Sequence, residues 1–578
     1  MNRQIRLFLE QENAALRAEN TTLRQTMLCP PCSSCNRPAV QPDVAMMEEQ
    51  LRHENQMIRA EIKRMQRLTA CHLSWSPNQV STNHGDSSSS SSSSLAMTAR
   101  WIDVLALATD SANEVTRLAR AEEPAWSRDG DGGSETLNLE MYYTRFLPCE
   151  QINVEEFVHE ASRATGLVAI DAPSLLRNFA NPSRWVEIFP SMIASSSIEA
   201  RNRILQVVKV EFMPVVSPLV STREVKLLRC VKQMDRNTWV VADVSPCLRL
   251  HHPNPRPAFI RFPSGYVIQR LANDFSKVTV VEHWGYKEDA VVTRFRSYLR
   301  TGLGFGAHRW LAALQRSGFS SSTIRELSPL AKRNLVNLSR RMVSVFCAGV
   351  CGITGQNWKP VGTDRLLDHN IRVFSRETQD RGNPCVLLSA SGLVRMQAKP
   401  DVIFGLLCDA RNMDLWDHMR HSGEIEERVR VSKGPNPGNH VSIFRVRGNS
   451  SGANEKYVLQ ETYHEASATM VIHSAVDLEA AAIAATHGEE YSGCDLLPSG
   501  FTIMPGCQVG TAEAEAEAGS SRSGGDEWCV VTAGFQMVAG DAALTGGVSD
   551  EMVNAVEEMV SSALGKLRNA LPVNLGLR

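Results

Sequence analysis

The nine residues "EVKLLRCVK", 224–232, alternate along the chain: Val225, Leu227, Arg229 and Val231 fall on one face. A period of two is the signature of a strand with one face buried. The preceding stretch, "LQVVKVEFM" (205–213), alternates in the same way and puts Val208, Val210 and Phe212 on one face. "TWVVADV", "GYVIQRL" and "KVTVVEHW" follow, with turn residues between them. Arg229 is the misfit, because strict alternation sends its guanidinium to the apolar side. An unpaired buried guanidinium is expensive, so it needs either a partner carboxylate or the polar head of a ligand.

Helical periodicity brackets these strands. Residues 96–121 carry Trp101, Leu105, Ala108, Ala112 and Val115 on one stripe. Residues 289–315 read as one long closing helix, with Phe295, Leu299, Leu303, Gly306, Trp310 and Leu314 facing inward. A helix, then antiparallel strands, then a long helix is an α+β arrangement.

The scheme recurs downstream. Trp185 in "LLRNFANPSRWVEIF" is answered by Trp416 in "FGLLCDARNMDLWDH", and "FPSGYVIQ" (262–269) by "LPSGFTIM" (497–504). The landmarks keep their order and nearly their spacing, and each half ends in an amphipathic helix, the second over about 549–571. Matched landmarks of this kind predict a duplicated fold. "TAEAEAEAGSSRSGG" (511–525) would be a loop of the second copy.

The front of the chain is of another kind. Leu9, Leu16 and Leu23 recur every seven residues, with Asn13 and Asn20 at the alternate core position. Glu12 and Glu19 would face Arg17 and Arg24 of a parallel partner. Buried asparagines fix register and favour two strands. A second heptad run carries Leu51, Asn55, Ile58, Ile62 and Met65. Between the two, "CPPCSSC" holds Cys29, Cys32 and Cys35. Cys29 and Cys32 form a candidate redox pair, a shared metal site is a second reading, and a plain loop a third. A Ser-rich tether, with Ser87 to Ser94 unbroken, separates this region from the strands.

Composition bounds the function. The net charge is −2, from 61 basic and 63 acidic residues, which is no footprint of a basic nucleic-acid-binding domain. No run of apolar residues is long enough to span a bilayer, and the polar N-terminus has no signal core. "GNSSG" (448–452) fits a nucleophile-elbow pattern, but strand-like sequence follows it where a helix is required, so it reads as a hairpin turn. Cys347 and Cys351 lie one helical turn apart in apolar sequence and read as buried small hydrophobes. No catalytic constellation, metal-ligand set or cofactor motif stands out, and an enzyme is not expected.

"LRAEN" and "LRHEN" on either side of the cysteine loop resemble the split zipper of the class IV homeodomain–leucine-zipper family of plant transcription factors. "ETLNLEMYY", "EASRATGLV", "VEFMPVVSPLVSTREVKLLRCVKQ", "RFPSGYVIQ" and "TGLGFGAHRWLAALQR" resemble that family's START lipid-binding domain, and "LSRRMVSVFCAGV", "VLLSASG" and "LLPSGF" its START-adjacent region. The resemblance implies a zipper over 1–70, a linker over 71–95, a START domain over 96–318, a connector over 319–338 and a START-like domain over 339–578. It implies a nuclear regulator of epidermal or developmental genes that forms homodimers or heterodimers with family members. A sterol or phospholipid would sit in a cavity lined by Val208, Val210, Phe212, Val225, Leu227 and Val231. Arg229 matches the arginine that START domains point into that cavity.

The family carries a homeodomain ahead of the zipper, yet only eight residues precede Leu9 here, so no DNA-contacting position carries over. The chain alone is expected not to bind DNA specifically, and to reach it only through a partner or a homeodomain outside this sequence. Two alternatives share the same residues: a lipid-binding or lipid-transfer protein, and a dimerisation partner that removes relatives from DNA.

Overall fold

The computed structural model describes residues 90–571, apart from connecting segments, chiefly 129–134, 146–156, 249–257, 362–370, 413–422, 449–454, 477–495, 507–527 and 540–546. Ala14, Arg17 and Ala18 are also described, all helical and exposed. The zipper positions other than Arg17, the cysteine loop and Trp416 lie outside the described residues. The chain divides into two compact units, Met1–Ile102 and Asp103–Arg578, and every described strand belongs to the second.

Helix α1 (Ser90–Arg120) starts inside the serine run that composition marks as a tether. Its Ala108, Ala112 and Val115 are buried, as their stripe predicts. β1 (Trp126–Arg128), β2 (Glu135–Leu137) and α2 (Leu139–Arg145) lead to β3 (Val158–Val168), followed by α3 (Ala172–Phe179) and α4 (Ser183–Ile188). α3 begins where Asp171 accepts from the Ser174 amide and Pro173 supplies a ready helical φ. Then come β4 (Ile193–Arg201), β5 (Leu205–Phe212), β6 (Arg223–Gln233), β7 (Thr238–Val244), β8 (Phe259–Arg261), β9 (Ser264–Arg270) and β10 (Ser276–Tyr286). The sheet runs β1-β2-β3-β10-β9-β7-β6-β5-β4, with β8 on β10, and every pairing is antiparallel.

The closing helix differs from expectation. It is two helices, α5 (Thr293–Arg300) and α6 (Ala307–Arg316). The break includes Gly304, Phe305 and Gly306. A Cβ at Gly304 would come within 2.2 Å of Leu299 Cδ2, and Gly306 leaves the helical region with ψ at 144°. Trp310 and Leu314 still point inward and are buried.

The stretch read as a connector, 319–338, contains regular elements among its described residues. It holds β11 (Phe319–Ser322) and the first turns of α7 (Pro329–Cys351). α7 is capped by Ser328, whose hydroxyl accepts from the Ala331 amide, and it ends at Gly352 in the left-handed region, φ 61°.

The second sheet contains β11, β12 (Lys359–Pro360), β13 (Arg372–Asp380), β14 (Asn383–Met396), β15 (Gly423–Lys433), β16 (His440–Gly448), β17 (Lys456–His464), β18 (Thr469–Val476), β19 (Ser499–Pro505) and β20 (Cys529–Ala539). α8 (Pro400–Cys408) falls between β14 and β15, and α9 (Asp550–Ala570) closes the chain. The order is β11-β15-β16-β17-β18-β19-β20-β14-β13-β12. Both sheets thus pair an early long strand (β3, β14) with their last (β10, β20) and then step backward through the sequence. Among the described residues, β3 is followed by two helices (α3, α4) and β14 by one (α8), and each half ends in a helix.

The two "PSG" phrases occupy matching places. Gly265 lies between Ala242 and Val281, and Gly500 between Ile472 and Gly534. A Cβ at Gly265 would fall 2.0 Å from Val241 O, and one at Gly500 2.4 Å from Val471 O. Each glycine lets its strand approach a neighbouring carbonyl that no side chain would tolerate.

The second sheet is buried on both faces. Val531, Ala533 and Phe535 share a core with Val556, Val560 and Leu564 of α9. On the opposite face, Gly534 and Gln536 meet α7: a Cβ on Gly534 would strike Val350, and Gln536 donates to Val345 O at 3.0 Å. α7 is therefore covered on several sides, which explains its apolar sequence. Leu335, Met342 and Phe346 share one core with Ala194, Met213 and Val216 of the first half and with Val431, Val441 and Leu459 of the second. Cys347 lies in that core, fully buried, and burial pushes its thiol well above the ordinary range.

Candidate functional site

The β5 and β6 positions named from alternation fall together. Val208 pairs with Leu227 and Val210 with Val225 across the two strands. With Phe212 they are buried in one core with Phe179, Trp185, Trp284 and Trp310, and Val231 packs half-buried at its margin. Trp310 of α6 meets Phe189 and Phe212 edge-on, at 4.8 and 6.1 Å between ring centres. The helix therefore closes over the strand faces.

Arg229 lies among them, 1% exposed, and it has found a carboxylate. Its Nε and Nη2 donate to the two oxygens of Asp243, each at 2.6 Å, and its Nη1 to Phe179 O at 2.8 Å. The guanidinium carbon sits 3.1 Å from the centre of the Trp185 ring. Of the two partners open to it in the sequence, this is the carboxylate. The ion pair takes both of its carboxylate-facing donors, so Arg229 offers a ligand no free fork. Burial lowers the Arg229 guanidinium's pKa, and Asp243 opposes that shift.

A second pair extends the first. Arg261 donates to Glu282 at 2.5 Å and lies 3.7 Å from Asp243, and Glu282 accepts from the Trp284 indole at 3.0 Å. Arg229, Asp243, Arg261 and Glu282 are each 1% exposed. Their formal charges cancel, which is the condition for keeping four ions out of water. Burial raises Glu282 to about 7, against the pull of Arg261. For Arg261 burial works downward, but Glu282 and Asp243 outweigh it and its pKa is raised.

Asp243 and Glu282 are legible by the rule that finds Arg229. Alternation puts Asp243 on the face of Val241, and Glu282 on that of Val280 and Trp284. Arg309 carries no such signal. Its Nη1 donates to Pro214 O and Gly304 O at 2.6 and 2.7 Å, and its Nη2 to Ser191 O at 2.7 Å, which ties α6 to two loops.

Glu160 on β3 is 5% exposed. Its Oε1 accepts from the Phe305 amide at 3.3 Å, and its Oε2 has no partner. Burial drives its pKa well above the usual carboxylate range. A carboxyl held protonated by the fold stabilises fully below the unfolded value, near 4.5, and loses that contribution as pH rises toward the folded value. Replacing Glu160 with Gln removes the titration. The variant should therefore gain on the parent as pH rises, by about 1–3 kcal/mol between pH 5 and 8, read from melting curves at both pH values. A constant difference would mean that Glu160 is ionised in the fold.

Among the described residues, no group of three or more His, Cys, Asp or Glu could hold a metal, and no helix is long and apolar enough to cross a membrane.

An antiparallel sheet gripping a helix over an apolar, polar-centred core is a helix-grip arrangement, and the START domain family matches residues 106–319. The family described as PDF2-like, C-terminal domain matches residues 328–573. The chain is 31% identical to homeobox-leucine zipper protein HDG1 of Arabidopsis thaliana, over 98% of this chain and 78% of that one. It is 30% identical to homeobox-leucine zipper protein ROC8 of Oryza sativa subsp. japonica, over 98% of this chain and 88% of that one. Human StAR-related lipid transfer protein 5 is similar at 15% identity and a TM-score of 0.26, over 37% of this chain and 96% of that one. The chain belongs to the class IV homeobox–leucine zipper family of transcription regulators, not to a family of enzymes.

Proposed function

We propose that this chain is a nuclear regulator that dimerises through Leu9, Asn13, Leu16, Asn20, Leu23, Leu51, Asn55, Ile58, Ile62 and Met65, and that takes a lipid into its START core. The supporting observation is that core. Val208, Val210, Phe212, Val225, Leu227 and Val231 present one apolar wall under α6, and the buried ion pairs stand at its centre. The wall suits an apolar ligand. The ligand's polar end would meet Arg261, whose Nε has no partner, better than Arg229, whose donors are taken. Bound lipid would stabilise the folded domain by mass action and so raise the amount of active dimer. The second sheet is read as a further START-like copy, on the strength of its matching strand order. Cys29 and Cys32 are read as a reversible redox pair beside the zipper.

The test is to purify the full chain, extract it and identify bound lipid by mass spectrometry, with light scattering for the oligomer. Leu227→Trp should reduce the lipid recovered at least about tenfold by filling the wall. Leu16→Pro should convert dimer to monomer without changing the lipid. A wild-type chain that is monomeric and free of lipid would overturn the reading. Transfer of lipid between vesicles, with the protein outside the nucleus, would favour a carrier instead.

A further inference from the structure

α6 has two attachments. One face closes the START core through Trp310, Leu311 and Leu314. Its other end enters the second sheet after only Ser317 and Gly318, because β11 pairs with β15, Phe319 opposite Lys433 and Ser322 opposite Val431. The junction has no slack. The Gly434 amide donates to Gly318 O at 3.2 Å. Gly434 itself holds φ at 71°, and a Cβ there would come within 2.7 Å of Gln315 O. In the last turn of α6, Arg316 pairs with Glu465 and lies 4.3 Å over the Tyr463 ring. Lys433, directly opposite Phe319, pairs with Glu461 and is 4% exposed. One short helix is thus the closing element of the first half and the covalent edge of the second.

We propose that the C-terminal sheet reads the position of α6: a shift of this helix over the START core is passed through β11 to β15, and the two halves respond together. The regulatory use of this coupling rests on the reading that the core takes a ligand. Thermodynamic coupling is reciprocal, so disturbing the sheet edge must also loosen α6. The physical reason is packing. A helix packed into the START core by Trp310, Leu311 and Leu314 and held at its last turn by Arg316 has few intermediate positions, and two linking residues cannot absorb a displacement.

The experiment is amide hydrogen exchange on the full-length chain. Trp310→Ala disturbs α6 from the START side. Exchange should rise at least about tenfold in α6, in Phe319–Ser322 and in Val431–Lys433, with β13 and α9 unchanged. Faster exchange in α6 with β11 and β15 unchanged overturns the proposal. Glu465→Gln, a milder change made from the other side, should speed exchange in the last turn of α6. If it leaves that turn at the wild-type rate, the coupling is refuted even where Trp310→Ala unfolds the domain. A third arm adds phosphatidylcholine–cholesterol vesicles to the wild type. Lipid uptake with slower exchange at both α6 and β15 supports the coupling, and uptake that slows α6 alone overturns it. Failure to take up lipid counts against the ligand reading only, since the two substitution arms contain no lipid.

Discussion

Asp243→Ala should cost about 3–5 kcal/mol of START-domain stability, the usual effect of removing one partner from a buried charged network. Two cations depend on this carboxylate. Arg229 would lose both of its 2.6 Å bonds, and Arg261 would keep only Glu282. Neither guanidinium can escape by losing its proton, and neither reaches water. The measurement is the START transition in urea, followed by the fluorescence of the buried tryptophans, Trp185 among them. Arg229→Met combined with Asp243→Leu removes both charges and should recover most of the loss, because a well-packed apolar pair can replace a buried ion pair at little cost. Arg229→Lys should not recover it, since an ammonium cannot fill a two-pronged site stacked on Trp185. A cost below about 1 kcal/mol for Asp243→Ala would show that the network does not hold the core together.

Gly265→Val and Gly500→Val should each cost about 3 kcal/mol or more, each in its own half of the molecule. The obstacle in both is a neighbouring backbone carbonyl inside the sheet, at 2.0 and 2.4 Å from the added Cβ, and backbone in a sheet cannot rotate away as a side chain can. Gly265 adds a conformational penalty, because its φ of 149° is one that side chains rarely adopt. Two other glycines serve as controls. A Cβ at Gly405 in α8 or Gly565 in α9 meets nothing within 4 Å. Alanine there should stabilise by up to about 1 kcal/mol through helix propensity. Thermal melts of the four variants should therefore fall into two groups of opposite sign. Equal small effects at all four positions would mean that the close approach of the strands is relaxed in solution.

Much of this architecture is legible in the chain because strands with one buried face write themselves into it with a period of two. "EVKLLRCVK" spells out the inward face of β6 residue by residue, Arg229 included. The repeated "PSG" marks the two penultimate strands, since a glycine forced by a backbone contact recurs wherever the contact does. The break between α5 and α6 reads as continuous helix because the apolar stripe carries on across it. Helical periodicity records which side faces the core, and that side stays the same on both halves of the break. Three glycines in five residues are the competing signal.

The sequence alone determined the α+β class of the fold, the inward faces of β5 and β6, and the family. All of these arise from local periodicity and short phrases. Only the tertiary structure decided what Arg229 is for. Whether its partner is a carboxylate or a ligand depends on β7, which no pattern within β6 can report. The same holds for residues 319–322. Their composition suits a loop, and they are a strand because β15 offers an unpaired edge two residues beyond the end of α6. A strand at a sheet edge is set by what lies beside it, and in this chain that neighbour is more than a hundred residues away.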